Sequence, residues 1–153
     1  MHIRIELQST SAVKNVPSLS QLEQWVACVL SKVPKTVDPD ITELTIRIVD
    51  EAESATLNET YRHKKGPTNI LSFSDDPIPG FLSTSLGDLI ICAPLVEKEA
   101  LEQDKLPEAH WAHLLIHGVL HLLAYDHTER KEAEVMESLE VSCLHELGYD
   151  NPY

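Results

Sequence analysis

The sequence predicts an α+β protein with a small mixed β-sheet of about four strands and about five helices, the central one carrying metal-binding histidines. Segments such as Ile3-Arg4-Ile5-Glu6-Leu7 and Leu44-Thr45-Ile46-Arg47-Ile48 alternate apolar with polar residues, the period of a half-buried strand. Leu22, Trp25, Val26, Val29, Leu30 and Val33 instead recur at helical spacing. The longest apolar run, around Leu114 to Ala124, is helical in character, too short to span a bilayer, and interrupted by histidines. At 153 residues, with 42% hydrophobic and 24% charged residues, the chain reads as one domain over 1–153 with a sizeable core.

The elements follow in order. Residues 2–8 form the first strand, with Ile3, Ile5 and Leu7 on one side. Ser18 with Gln21 three residues on is a capping-box pattern, and the helix it opens runs until Pro34. A second strand ends near Val49, after which Asp50, with Glu53 behind it, can cap a short helix to about Tyr61. Ile70 to Ser74 is a short strand, residues 75–85 a turn-rich connection, and Leu86 to Ala93 another strand. Pro94 to about Gln103 is a helix with Glu97, Lys98, Glu99 and Glu102 on its wet side. Pro107 and Glu108 suit the first turn of the long histidine helix. A last helix, about 129–147, stops at Gly148 and has Val135, Met136, Leu139, Val141, Cys143, Leu144 and Leu147 for packing.

The chemistry concentrates in the run His117-Gly118-Val119-Leu120-His121-Leu122-Leu123-Ala124-Tyr125-Asp126-His127. Histidines four apart on a helix share a face, about 6 Å apart along the axis, so both rings can reach one ion. His127 joins them only if the helix ends and the chain turns back. Tyr125-Asp126 breaks the apolar run, and Thr128-Glu129 opens a new helix. Three neutral imidazoles with a vacant fourth position describe a catalytic zinc site, whereas structural sites are usually closed by four ligands, several of them cysteines. The alternative is core histidines or a solvated stripe, but unpaired imidazoles in so apolar a segment would be costly. His113 and His117 form a competing pair without a third partner, which places His113 behind the ligands or in packing.

Composition bounds the rest. Cys28, Cys92 and Cys143 are odd in number and far apart, which suits reduced core thiols. The first residues hold no apolar stretch of signal-peptide length, so a cytoplasmic location is expected. A net charge of −13 argues against coating nucleic acid non-specifically, so any such contact is local, with neither DNA nor membrane as a partner. The loop Arg62-His63-Lys64-Lys65-Gly66-Pro67-Thr68-Asn69 carries three fixed positive charges in this acidic chain. It reads either as a solvated turn or as a grip on a phosphate backbone.

These residues resemble the YbeY family of bacterial single-strand-specific endoribonucleases. The likeness rests on Asn58-x-x-Tyr61-Arg62, Pro67-Thr68-Asn69-x-Leu71-Ser72-Phe73, Gly87-Asp88-Leu89-x-Ile91 and above all the run from His117 to His127. The resemblance implies that His117, His121 and His127 bind one zinc ion and that Arg62 is important for RNA cleavage. It also implies a small mixed sheet with helices packed on it. The expected substrate is single-stranded RNA, a precursor rRNA, in 3′-end maturation of small-subunit rRNA and ribosome quality control. The small ribosomal subunit and assembly factors are the implied partners. On this picture Lys64 and Lys65 hold neighbouring phosphates as point charges, and Asp126 orients a ligand imidazole or assists proton transfer, the alternative being a local cap of its own turn. The family usually has glycine where this chain has Ala124, and an alanine held at positive φ there would cost about 1 kcal/mol.

Two other functions share some of these features. Histidines at relative positions zero, four and ten match the spacing of metzincin peptidases, but those place a glutamate immediately after the first histidine, where this chain has Gly118. A non-catalytic ribosome-assembly module would hold zinc in a closed sphere, and no fourth protein ligand is obvious.

Overall fold

The structure, a computed structural model, describes residues 3–34, 37–75, 80 and 84–153. Its elements are β1 (Arg4–Ser9), α1 (Leu19–Lys32), β2 (Glu43–Val49), α2 (Glu51–Arg62), β3 (Ile70–Ser74), β4 (Ser85–Cys92), α3 (Ala93–Glu102), α4 (Pro107–Leu122) and α5 (Arg130–Glu146). The strand and helix periods read from the sequence therefore become the expected α+β architecture. The turn-rich connection expected at 75–85 falls largely outside the described residues, as does residue 2 of the first strand.

One sheet runs in the order β1-β2-β4-β3. β1 lies parallel to β2 and β2 parallel to β4, while β3 runs antiparallel to β4 and forms an edge. Alternation selects the faces: Leu44, Ile46 and Ile48 of β2 are fully buried in the core with Leu89 and Ile91 of β4. Arg47, on the opposite face of β2, pairs with Glu53 of α2, so α2 sits against that other side.

The capping box at Ser18 and Gln21 forms as expected. Asp50 differs. It occupies the position before α2 but makes no cap; its carboxylate accepts from the Ser11 hydroxyl at 2.5 Å and the Ala12 amide at 3.0 Å. The hydrogen bond from Ser11, then that from Ala12, hold its carboxyl below the usual carboxylate range. The residue thus fastens the segment after β1 to the start of α2.

α4 is the central helix, packed against β3, β4, α1, α3 and α5. Its glycine explains how close it comes to the sheet. A Cβ on Gly118 would lie 2.7 Å from Ile70 Cδ1 and 2.9 Å from Leu89 Cδ2, so two packed side chains would have to move at once. A glutamate at 118 would therefore point into the sheet, away from the face that carries His117 and His121. The three cysteines are buried free thiols, as expected, whereas Val135, expected to pack, is 52% exposed.

Candidate metal centre

α4 ends where the histidines need it to end. The amide of Ala124 donates to the His121 carbonyl at 3.0 Å and that of Tyr125 to the Leu120 carbonyl at 3.0 Å, the paired bonds of a Schellman turn. That turn requires a left-handed residue, and Ala124 supplies it with φ 69°. Tyr125 is buried beyond it, and the reversal brings His127 back over the helix. His63, Asp104 and Gly148 take the same left-handed conformation after α2, α3 and α5. Only at Gly148 is the residue glycine. Ala124→Gly is expected to stabilise the protein by about 1 kcal/mol, read as a rise of about 2–4 °C in Tm for a domain of this size. An unchanged or lower Tm would show that the alanine methyl makes a compensating contact.

The result is a cluster of His117, His121 and His127 in which one ring nitrogen from each lies within 4.8 Å of the others. His117 Nε2 and His121 Nε2 are 3.0 Å apart, and the His127 ring stacks on that of His117 with centroids 5.5 Å apart. Burial lowers the His121 pKa below the usual imidazole range, and His117 and His127 lower it further, which favours the neutral form that a metal needs. The donor set of three imidazoles, with His127 exposed to solvent, fits a metal ion.

A carboxylate that the sequence reading missed stands behind this cluster. Glu140 of α5 is fully buried and accepts from His117 Nδ1 at 2.7 Å, leaving Nε2 of that ring turned toward His121. The same carboxylate meets His113 Nε2 at 3.2 Å and accepts from the Tyr153 hydroxyl at 2.6 Å. Burial pushes the Glu140 carboxyl up, but the hydrogen bonds from His113, His117 and Tyr153 outweigh it and bring it down to about 2. The clue lay in the helix period: Met136, Glu140, Cys143 and Leu144 form the buried stripe of α5, an acidic residue among apolar ones.

The cluster opens on a cavity of about 520 Å³ lined by Arg62, Asn69, Ser72, His113, His117, His121 and Tyr153, among others. Arg62 belongs to the last turn of α2 rather than to the loop. Its Nη2 donates to the Ser72 carbonyl at 2.6 Å, and its guanidinium lies 5.0 Å from the centre of the Phe73 ring. Lys64 and Lys65 are exposed and are not among the residues lining this cavity. The loop beyond them is fastened by Asn58, which donates to the Gly66 carbonyl at 2.9 Å, and by Ser54, which bonds both main-chain groups of Thr68. Asp126 accepts from the main-chain amide of His127 at 2.7 Å, the local role. Glu99, expected on the wet side of α3, instead accepts from Asn69 at 3.0 Å and contacts the buried His110 at 2.9 Å, which sets the Asn69 side chain in the cavity wall.

The family model described as Endoribonuclease YbeY matches residues 6–150. The chain belongs to the YbeY family. Relatives named Endoribonuclease YbeY from Coxiella burnetii, among them that of strain Dugway 5J108-111, are 56% identical over 151 residues, covering 99% of this chain and 98% of theirs. The solution structure of a Thermotoga maritima protein, 21% identical, aligns with a TM-score of 0.55 over 94% of this chain and 91% of its own, and shares the fold. YbeY membership puts the histidine cluster and its cavity in a family of hydrolytic nucleases acting on RNA. No helix among the described residues is long and apolar enough to cross a membrane.

Proposed function

We propose that this chain, as one domain over 1–153, is a zinc-dependent endoribonuclease that cleaves single-stranded RNA, with precursor rRNA of the small subunit as its substrate in 3′-end maturation and ribosome quality control. The observation that carries this is the set of three imidazoles, each offering a nitrogen within 4.8 Å of the others, on a cavity that Arg62 shares. His117, His121 and His127 would hold the ion. Zinc there would supply Lewis-acid polarisation of a phosphoryl oxygen and activation of water.

The chain's own residues do the rest. Glu140 fixes the His117 ring so that Nε2 faces the cluster. Arg62, pinned by the Ser72 carbonyl, keeps its remaining N–H groups for phosphate oxygens and for the charge that grows as the phosphodiester is attacked. Lys64 and Lys65, exposed on the loop after α2, would attract flanking phosphates as point charges, giving binding that weakens with salt. The small ribosomal subunit and its assembly factors would present the RNA in the cytoplasm. Gly118, packed on the sheet, provides no general base for peptide hydrolysis, and the exposed third ligand favours an open coordination position over a closed structural site.

Incubating the zinc-loaded protein with single-stranded RNA, duplex RNA and casein tests this. The expected outcome is cleavage of the single strand alone, stopped by a chelator and restored by zinc. Cleavage of casein alone, or RNA cleavage indifferent to both chelator and His117→Ala, would overturn it.

A further inference from the structure

We propose that Tyr153 is the platform on which one unpaired nucleobase of the RNA stacks beside the bond to be cut, an inference that rests on the RNA-cleaving function proposed above. Tyr153 lines the same cavity as Arg62, His117 and His121. As a whole residue it is nevertheless 62% exposed. Such a side chain on an irregular tail would ordinarily sample many rotamers. Here its hydroxyl donates to Glu140 Oε2 at 2.6 Å, and its ring meets that of His113 at 84° with centroids 5.4 Å apart.

The tail itself is fastened. Tyr149 N–H donates to the Leu144 carbonyl at 2.8 Å, Lys105 Nζ to the Pro152 carbonyl at 3.4 Å, and Tyr153 N–H to Asn151 Oδ1 at 2.9 Å. An aromatic ring held at its hydroxyl and against His113, on a residue more than half exposed, pays much of its ordering cost before the ligand arrives. Proteins that bind single strands use aromatic rings in this way, because every base has a π-face and a base paired in a duplex cannot present it. The ligand class is therefore an unpaired purine or pyrimidine whose backbone phosphate reaches Arg62. Tyr61 is also exposed, at 59%, but its ring packs edge-on against Phe73 and it is not among the residues lining the cavity.

The test uses the zinc-loaded full chain and a single-stranded RNA, with a companion series in which each nucleotide in turn is abasic. Stacking of about 1–3 kcal/mol per base corresponds to about a 5- to 150-fold change in binding. Tyr153→Leu is expected to raise KM about tenfold with kcat within about threefold, and Tyr153→Phe to raise KM no more than about threefold. On the wild type, one abasic position near the cleaved bond should raise KM about as much as Tyr153→Leu does, and that position should lose its effect in Tyr153→Leu. The abasic series on the wild type needs no variant, so misfolding cannot produce its signal. No sensitive position, or a KM effect carried by Tyr61→Leu rather than by Tyr153→Leu, would overturn the platform. A fall in kcat equal in Tyr153→Phe and Tyr153→Leu would also overturn it, assigning the hydroxyl to positioning through Glu140. A wild type that leaves RNA intact overturns the functional proposal and the platform with it, whereas an active wild type without these signatures overturns the platform alone.

Discussion

Arg62→Ala is expected to lower kcat on single-stranded RNA by about 10²–10³-fold, the usual consequence of removing a preorganised donor from a site where charge develops. KM should rise as well, because the phosphate charge that Arg62 meets is present before reaction, while the fall in kcat reports only the charge that develops in the transition state. The guanidinium is held from two directions, by the Ser72 carbonyl at 2.6 Å and by the Phe73 ring at 5.0 Å. Arg62→Lys should recover little activity: an ammonium is a point charge without the planar fork that can bond Ser72 and a phosphate together. Single-turnover cleavage measures the chemical step directly. A kcat within threefold of wild type for Arg62→Ala would remove Arg62 from the catalytic assignment.

Glu140→Gln should weaken zinc binding by about ten- to hundredfold, read by competition with a chromophoric chelator. Three donors converge on this carboxylate, from His113, His117 and Tyr153. A glutamine has one acceptor oxygen and presents an NH₂ group in place of the other. Where that NH₂ faces His117 Nδ1, the ring must carry its proton on Nε2, the nitrogen the ion needs. The carboxyl itself stays ionised through the neutral range, because its pKa in the fold is brought down to about 2. Its folded pKa lies below the ordinary value, so its contribution to stability is present above the ordinary carboxylate range and is lost as pH falls toward 2. Unchanged zinc affinity in a folded Glu140→Gln protein would show that His117 needs no such support.

Local patterns told most of the fold. Alternation at Leu44, Ile46 and Ile48, the helical stripe from Leu22 to Val33 and the Ser18 capping box are each decided by neighbours within a few residues, and each appears in the structure. The reversal after α4 was legible because a third histidine ten residues past the first demanded it, but the left-handed residue was not: only the glycine usual in the family pointed to Ala124, and a turn at another residue remained open. Strand order was not legible, because β4 enters between β2 and β3 through contacts distant in sequence. Glu140 was hidden likewise: 23 residues separate it from His117, and only the packing of α5 on α4 closes that gap. Asp50 and Glu99 looked like a helix cap and a solvated face, yet each bonds a segment brought near by the tertiary fold. Adjacent residues also part company in one place, because α2 continues through Arg62, which lines the cavity, while Lys64 and Lys65 are not among its lining residues.

His117 and His121 ride on a rigid helix, whereas His127 hangs from the irregular stretch between α4 and α5. Two anchors are preset and the third is tethered, so occupancy by an ion must quench local opening of the tether much more than opening of the helix. Deuterium uptake at residues 123–129 should therefore slow sharply when zinc is added, while Val119 and Leu120, already protected in the core, hardly respond. The same stretch would be the point at which a protease distinguishes empty from loaded molecules, making metal supply a determinant of how long the protein survives.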